Sequence, residues 1–247
     1  MNPFQIAGPA CSSFSGGETS ALMLHRCQEA GMLSDKTVHV LFCDTGLERK
    51  ETYEFVQEVA LRWGVEITTL KKAHREGETP FDACIREKKY LPNPVTRFCT
   101  QQLKIIPMSQ YMNERYGEGE WTNIVGLRAD EPSRVARLKG RKDGPEISVP
   151  LYDAGIRKAD VLAFWDAQPF KLRLREWEGN CDLCFLKGVR LRRAIMRDRP
   201  DLALWWIKKE EQIKATFCPH SPDYKTLLAQ AQVETTQMSL FAGGTPE

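Results

Sequence analysis

The stretch Ser15-Gly16-Gly17-Glu18-Thr19-Ser20 decides the fold that we predict for this chain. It follows a short run ending in Phe14 and precedes an apolar helical pattern, so it predicts a strand, a tight glycine turn and a helix. Adjacent glycines let the backbone turn sharply and approach a ligand without a Cβ clash. Amides of the turn and of the first helical turn can then hold an anion, with hydroxyl groups beside them. An ordinary strand-to-helix turn with Thr19 as N-cap stays open as the alternative.

Length and composition are those of a globular protein with one sizeable domain, or one domain and an appended lobe. The 247 residues are 42% hydrophobic and 28% charged, and the net charge is +2. This balance gives no general signal for binding to nucleic acid or membrane. No apolar stretch reaches the length of a membrane span, and the first residues lack the pattern of a secretory signal. We therefore expect a cytoplasmic protein.

Strand and helix patterns alternate along the chain. Strands are predicted at 37–42, 66–70, 121–125 and 146–151, and helices at 51–63, 81–88, 157–165, 191–195, 202–206 and 224–231. Such alternation indicates a parallel sheet with right-handed crossovers. We therefore predict an α/β, Rossmann-like (HUP-type) parallel sheet flanked by helices over residues 1–170. A helical lobe over residues 171–231 and a mobile tail over residues 232–247 complete the prediction.

Polar and charged side chains follow the predicted strands, where parallel sheets bind ligands. Asp44-Thr45-Gly46 follows the second strand, so Asp44 can face the same pocket as the glycine turn; a turn capped by its carboxylate is the alternative. Arg128 and Arg134 lie after the strand at 121–125. Two arginines at a strand end can each bind a phosphate or sulfate through a pair of hydrogen bonds. The alternative is that this segment is a solvated surface loop without a ligand.

Eight cysteines are unusual for a chain of this size that shows no secretory signal, so metal binding is the better explanation for those with ligand-like spacing. Cys181 and Cys184 form a CxxC pair. Such a pair occurs as a redox couple, as half of a zinc site or as two ligands of an iron–sulfur cluster. Zinc needs two further ligands, and His220 beside Cys218, together with Cys99, are the candidates.

Four segments, in this order, resemble the phosphoadenosine phosphosulfate reductase-like family of the PP-loop (adenine nucleotide alpha-hydrolase) superfamily. They are the Ser-Gly-Gly-x-x-Ser turn at 15–20, the Asp-Thr-Gly at 44–46 with Glu51-Thr52 after it, the segment 97–108 with Cys99, Lys104 and Pro107, and the Gly126-x-Arg128 loop with Arg134. One departure concerns charge, because members often carry Lys-Asp where this chain has Glu18-Thr19. Lys104, Arg128 and Arg134 are the candidates for the missing cation.

The resemblance implies that the turn holds the pyrophosphate end of ATP or a related adenine nucleotide, with Mg²⁺ neutralising the phosphates. The residues implied in nucleotide binding are Ser13, Ser15, Gly16, Gly17, Thr19, Ser20, Asp44, Gly126, Arg128 and Arg134. Asp44, Lys104 and Arg128 are the implied catalytic residues.

The resemblance also implies a [4Fe–4S] cluster, because some members hold one with cysteines at the third segment and at a late CxxC. Position by position this transfers to Cys99, Cys181 and Cys184, while Phe98 stands where some members have a paired cysteine. Either Cys218 is the fourth ligand, or one iron stays open and can carry sulfide, as in PP-loop tRNA thiolation enzymes. A zinc site and purely structural thiols stay open as alternatives.

We therefore predict an enzyme that adenylates an acceptor and handles sulfur through the cluster, with transfer to or from a nucleic acid or a small molecule. One alternative is a phosphoadenylyl-sulfate or adenylyl-sulfate reductase, although no cysteine after Cys218 matches that family's C-terminal nucleophile segment. A non-enzymatic, zinc-stabilised nucleotide-binding module is the other.

Three arginines that fall on one predicted helical face are candidates for contact with a nucleic-acid backbone. They are Arg190, Arg193 and Arg197. A solvated face beside Glu210 and Glu211 is the alternative. We expect no contact with membranes and leave a homodimer open.

Overall fold

A five-stranded parallel sheet lies at the centre of the computed structural model, which describes residues 2–141, 143–175, 177–179 and 181–242, with side chains up to residue 235. The strands are β1 (Ala10–Phe14), β2 (Val38–Asp44), β3 (Ile67–Lys71), β4 (Thr122–Val125) and β5 (Glu146–Ser148). Their order in the sheet is β3-β2-β1-β4-β5. The prediction of an α/β, Rossmann-like parallel sheet is confirmed.

Helices connect the strands and continue into the C-terminal region. They are α1 (Glu18–Glu29), α2 (Lys50–Trp63), α3 (Pro80–Lys88), α4 (Phe98–Thr100), α5 (Ile106–Tyr116), α6 (Pro132–Lys139), α7 (Pro150–Asp153), α8 (Lys158–Asp166), α9 (Val189–Asp198), α10 (Ala203–Ile213) and α11 (Tyr224–Ala242). A π-helical turn, Gln101–Ile105, joins α4 to α5. Short 3₁₀ turns occur at Met32–Ser34 and Pro200–Leu202. Among the described residues, no helix combines the length and apolar character that crossing a bilayer requires.

Alternating side chains of the strands build a separate apolar layer on each face of the sheet. Phe14 and Phe42 pack with α1, α2 and α8, where Trp165 is fully buried. Cys11 and Leu41 pack on the opposite face with α5. The sheet is therefore covered on both sides, as parallel sheets usually are.

The strand order reverses beside β1, because β2 and β3 lie on one side of it and β4 on the other. β1 pairs with β2 from Ala10↔Val38 and with β4 from Ala10↔Thr122. The chain segments that leave the carboxyl ends of β1 and β4 therefore diverge and open a crevice, which is where such sheets bind ligands. The glycine turn lies at this point.

A second apolar cluster joins the C-terminal helices to α3 and α4. Trp206 of α10 stacks on Tyr224 of α11 with ring centroids 5.0 Å apart, and Phe217 packs against both rings. Phe81 and Phe98 from the sheet side complete the cluster. The C-terminal region is therefore helical, as predicted, whereas its separation at residues 170 and 171 stays a prediction.

Two element boundaries differ from those predicted. The fifth strand ends at Ser148, short of residue 151, because Pro150 starts α7, and proline suits the first turn of a helix while it cannot donate to a sheet ladder. Helix α11 runs to Ala242, so it enters the segment expected as a tail, since no glycine or proline interrupts residues 224–242. The rest of that segment, 243–247, lies outside the described residues.

Candidate functional site

The glycine turn between β1 and α1 is closed by its own serines. The Ser15 amide donates to Ser20 Oγ at 3.2 Å, the two hydroxyl oxygens are 2.9 Å apart, and Ser20 Oγ donates to the Gly17 carbonyl at 2.9 Å. Gly16 adopts the left-handed region at φ 74°, and a Cβ there would lie 2.7 Å from Thr52 Cγ2. The local sequence therefore builds a rigid turn at the carboxyl end of β1.

Gly17, with φ −108° and ψ 158°, is the N-cap of α1 and has no side chain to cap the helix. The alternative of Thr19 as the N-cap is therefore wrong. The amides at the start of a helix without a side-chain cap form a ready anion site, and the helix dipole adds to it.

The loop after β4 brings a positive charge to this turn. Arg128 Nη1 donates to Thr19 Oγ1 at 3.3 Å, and Arg128 also pairs with Asp130 at 2.9 Å. A Cβ on Gly126 would lie 3.0 Å from Ser20 Cα, so glycine lets the loop pass close to α1. Arg128 thus lies at the turn and supplies a positive charge there, whereas the residue at position 18 is a glutamate.

A cavity of about 460 Å³ extends from the turn along the α5 side of the sheet. Its apolar wall includes Leu41, Met108 and Trp121. The polar and charged side chains around it include Ser13, Ser15, Lys104, Arg134, Arg137 and Arg141. Arg137 and Arg141 were missed by the sequence analysis, although their spacing of three and seven residues from Arg134 is that of one helical face.

Ser13 and Arg134, two further predicted nucleotide-binding residues, are also engaged within the protein. Ser13 Oγ donates to Asn123 Oδ1 at 2.6 Å. Arg134, which is 65% exposed, pairs with Glu131. Both residues line the cavity, so the structure brings them to the predicted pocket but gives each a partner of its own.

Asp44 lies at the carboxyl end of β2 and is held by three donors. Tyr53 Oη donates at 2.6 Å, the Gly46 amide at 2.8 Å, and Lys71 Nζ pairs with the other oxygen at 2.9 Å. Burial acts to raise the pKa of Asp44, but these hydrogen bonds outweigh it, so its pKa lies below the ordinary value. Asp44 is thus a fixed carboxylate. The sheet register, in which Asp44 is paired with Lys71, is the signal that would have revealed its partner.

Lys104 lies between the cavity and the cysteines. Its Nζ is 3.8 Å from Oε1 of Glu48, a buried carboxylate that also accepts from Thr45. Burial lowers the pKa of Lys104, whereas Cys181 and Glu48 raise it, and the net effect is a raised pKa. Lys104 is therefore a cation at neutral pH, and it faces both halves of the site.

The CxxC segment is attached to the loop that follows Asp44. Cys181 forms an antiparallel bridge with Glu48, and the Asp182 amide donates to the Leu47 carbonyl at 3.0 Å. A buried ion pair between Arg49 and Glu178, at 3.2 Å, adds a third link. The cysteine pair is consequently held at the carboxyl end of β2 by residues 47–49, which were not among the predicted site residues.

Three of the predicted cysteine ligands lie within electrostatic range of the fourth, Cys184. Burial is the main reason that the pKa values of Cys99, Cys181 and Cys218 are raised, to about 12 for Cys181, and the neighbouring Cys184 raises each of them further. Cys218 Sγ donates to the carbonyl of Phe185, the residue after Cys184, at 3.3 Å. Three segments far apart in the chain thus carry these four thiols into one region. Within the described ranges, no three Cys, His, Asp or Glu side chains are arranged to hold a metal ion.

A buried arginine next to these thiols tests whether they suit an anionic centre. Arg192 is 2% exposed, and its Nε and Nη1 find no hydrogen-bond partner in the part of the chain that the structure describes. Its Nη2 donates to Ser221 Oγ at 2.7 Å, and the Ser221 amide donates to the Cys218 carbonyl at 3.0 Å. A buried cation with unpaired donors is costly unless an anion lies beside it. Four cysteines near such a cation have the donor chemistry that suits an iron–sulfur cluster, and it also suits zinc.

The arginines expected to contact nucleic acid are mostly turned towards α11. Arg193 and Arg197 both pair with Glu234, at 3.2 and 3.1 Å, so neither Glu210 nor Glu211 is their partner. Arg190 is exposed. The charge of this face is therefore partly neutralised within the protein.

Comparison with known proteins gave matches at the level of family and fold. A model of the phosphoadenosine phosphosulfate reductase domain matches residues 9–142. The chain is 36% identical over 197 residues to the uncharacterised nin region protein ORF290 of Escherichia phage lambda, covering 72% of this chain and 66% of that protein. It is 31% identical over 136 residues to the uncharacterised protein MJ0066 of Methanocaldococcus jannaschii, covering 55% and 26%. The chain thus spans less than two thirds of these relatives.

Two solved structures are similar at low sequence identity. One is the U34-tRNA thiolase NcsA from Methanococcus maripaludis with its [4Fe-4S] cluster, with a TM-score of 0.48 and 14% identity over 94% of this chain and 73% of that one. The other is the phosphoadenylyl-sulfate reductase from Candida auris in its phosphate complex, with a TM-score of 0.44 and 18% identity over 66% and 76%.

Proposed function

Because the chain belongs to the phosphoadenosine phosphosulfate reductase domain family of the PP-loop superfamily, we propose that it is an enzyme that adenylates an acceptor and handles sulfur. The observation that carries this proposal is the convergence of two sites at one sheet edge. The glycine turn carries Arg128 and borders the cavity, Lys104 lines the same cavity, and Lys104 also lies within electrostatic range of Cys99 and Cys181.

The glycine turn is the proposed site for the phosphates of ATP or a related adenine nucleotide. Backbone amides at the start of α1 and the Arg128 guanidinium supply donors and positive charge. The cavity beside Ser15 has the size and the apolar wall that suit a nucleoside, since small-molecule sites usually measure about 300–1,000 Å³.

The proposed reaction is attack by an acceptor oxygen on the α-phosphorus. A bond forms between that oxygen and phosphorus, the bond to the bridging oxygen breaks, and pyrophosphate leaves with the electron pair. Arg128 and the amides of the turn stabilise the charge that develops on the leaving group, while Mg²⁺, when bound, neutralises the phosphates. Lys104 keeps its proton, so its role is electrostatic. The role of Asp44 stays a prediction, because Lys71 and Tyr53 already occupy its oxygens.

The proposed ligands of a [4Fe–4S] cluster are Cys99, Cys181, Cys184 and Cys218. When bound, such a cluster supplies iron that can hold a sulfide or a thiolate. The position of Lys104 places a positive charge beside Cys181, where it offsets the negative charge of a thiolate. The acceptor is a nucleic acid or a small molecule.

Anaerobic purification followed by an acceptor screen tests this proposal. We expect roughly four irons per chain with matching acid-labile sulfide. With ATP, Mg²⁺ and sulfide, a transfer RNA, a DNA oligonucleotide or a small thiol precursor should cause release of pyrophosphate on adenylation and of AMP when sulfide displaces it, and an Arg128→Ala control should release far less of both.

Three other results would each contradict the proposal, and the first two would also assign an alternative function. Sulfite formed from phosphoadenylyl sulfate in the presence of a dithiol would assign a reductase. Binding of adenine nucleotide to zinc-loaded protein with no turnover of any acceptor would assign a binding module. Unchanged iron content in a Cys99→Ser, Cys181→Ser double variant would remove the cysteines from the site.

A further inference from the structure

Arg192 is a buried cation with no ion-pair partner among the residues that the structure describes. It belongs to α9, yet its side chain points inward, whereas Arg193 and Arg197 on the same helix pair with Glu234. Its guanidinium carbon lies 5.3 Å from the centre of the Tyr224 ring. Its Nη2 donates to Ser221 Oγ, whereas Nε and Nη1 have no hydrogen-bond partner among the described residues. A cation in this state indicates a missing negative partner.

The surroundings of Arg192 point to the cysteine centre as that partner. The turn that carries Ser221 begins at Cys218, and Arg192 acts electrostatically on the Cys218 thiol. The hydroxyl of Tyr224, the ring beside Arg192, donates to the Leu183 carbonyl at 2.5 Å, next to Cys184. Arg192 therefore lies within electrostatic range of Cys218, and the Tyr224 ring connects it to the backbone beside Cys184.

Two carboxylates of this neighbourhood, Glu210 and Asp223, already accept hydrogen bonds from the backbone. One oxygen of Glu210 accepts from the Phe217 amide at 3.0 Å and the other from the Tyr224 amide at 2.8 Å. Burial raises the pKa of Glu210, and Arg192 acts in the opposite direction without a direct hydrogen bond. Both oxygens of Glu210 thus bind backbone amides, and Arg192 Nε and Nη1 have no partner among the described residues.

We infer that Arg192 is a positioning residue that donates to, and compensates the charge of, an anionic metal–thiolate centre at Cys184 and Cys218. This inference rests on the proposed cysteine centre and adds the cation that holds it. Buried thiolates with a negatively charged cluster need such a donor, because hydrogen bonds and nearby charge set both the stability and the reduction potential of iron–sulfur centres.

An Arg192→Met variant tests this, because methionine keeps much of the side-chain length and removes the charge. Arg192→Lys keeps the charge without the planar fork, and Arg197→Met removes an arginine of the same helix that has a carboxylate partner. All four proteins, including wild type, are prepared without oxygen. Iron and sulfide content, the rate of iron loss to a chelator, the reduction potential and the electron paramagnetic resonance spectrum are measured, followed by thermal unfolding with and without metal.

We expect opposite effects of Arg192→Met on the two forms. The metal-free variant should unfold at the same temperature as the wild type or at a higher one, since an unpaired buried charge is removed. The loaded variant should lose iron at least tenfold faster and show a more negative reduction potential, because a nearby cation favours the added electron. Arg192→Lys should restore part of the potential, and Arg197→Met should match the wild type.

Other outcomes separate this inference from the proposed function. If Arg192→Met destabilises both forms equally and leaves potential and spectrum unchanged, Arg192 is only structural, while the cluster stands. If the wild type holds zinc and no iron, the cluster is wrong, and tenfold faster zinc loss from Arg192→Met still supports the inference, whereas unchanged loss overturns it. If the wild type takes up neither metal, both are overturned.

Discussion

The glycine turn and the cysteine centre lie at one edge of the sheet, but they are built in opposite ways. The turn comes from six consecutive residues whose serines bond to one another, and its ligand groups are backbone amides. The proposed cysteine centre draws its residues from three segments far apart in the chain, and its proposed ligand groups are side chains. The geometry of the turn is set by residues that are neighbours in the chain, whereas the geometry of the cysteine site depends on the packing of the whole C-terminal region.

The largest effect is expected from Cys184→Ser, because Cys184 is the thiol on which the other three converge. We predict complete loss of stoichiometric iron from anaerobically prepared protein, while ATP binding at the turn persists. Iron and sulfide assays with calorimetry of ATP binding measure both. Cys27→Ala, which removes a buried thiol from the opposite region, is the control and should retain iron.

Cys218→Ser tests whether the proposed cluster has three or four protein ligands. Retained iron with a spectrum that changes on addition of sulfide would indicate an open iron with three protein thiolates. Loss of iron equal to that of Cys184→Ser would make Cys218 the fourth ligand.

Next in size is the loss of the cation that the loop after β4 brings to the turn. Arg128→Ala should weaken binding of adenine nucleotide on the order of ten- to a hundredfold, since a hydrogen bond to a charged group contributes about 1.5–3 kcal/mol. Titration calorimetry measures this. Arg26→Ala, which removes an exposed arginine of α1 paired with Glu29, is the control. Equal affinities in Arg128→Ala and wild type would leave Arg128 as a surface residue.

The two glycines of the turn should respond differently, although they are neighbours. Gly16→Ala forces a left-handed backbone and a contact with Thr52, so we expect roughly 1–3 kcal/mol of lost stability in denaturant unfolding. Gly17 has an extended backbone that any residue adopts, so Gly17→Val should unfold like the wild type. It should nevertheless bind nucleotide poorly, because its side chain blocks the approach of the phosphates. Unchanged affinity in folded Gly17→Val would move the pocket elsewhere.

The smallest effect concerns the carboxylate beside the turn. The pKa of Asp44 is lowered in the folded protein, so its ionised form stabilises the fold above its unfolded pKa of about 3.9, and this contribution disappears as the pH falls through the folded value. Asp44→Asn should therefore be less stable than wild type at pH 7, with a difference that shrinks below about pH 4. Urea unfolding at several pH values measures it. Asp166→Asn, at an exposed carboxylate, should show no such trend. A difference that is constant with pH would exclude the ionised form as its source.

The contrast between the two sites also explains what could be predicted from sequence. The turn, its strand and helix, and the loop carrying Arg128 follow from local pattern, and the structure brings Arg128 to Thr19. For the cysteines, the residue type and the CxxC spacing indicate metal chemistry, but neither says that Cys218 lies against Phe185. The burial of Arg192 depends on the packing of α9 against Ser221 and Tyr224, and a helical pattern cannot reveal which arginine turns inward.

The short segment from Thr45 to Arg49 connects the two sites. It begins directly after Asp44 at the end of β2, and further along it Glu48 forms a β-bridge with Cys181 while the Leu47 carbonyl accepts from the Asp182 amide. If nucleotide binding shifts this segment, thermodynamic reciprocity requires an equal coupling in both directions. A nucleotide that tightens the hold on the metal by some factor must itself bind more tightly, by the same factor, to the metal-loaded protein. Metal binding at the cysteine centre would thus change the nucleotide affinity of the pocket through five residues of backbone.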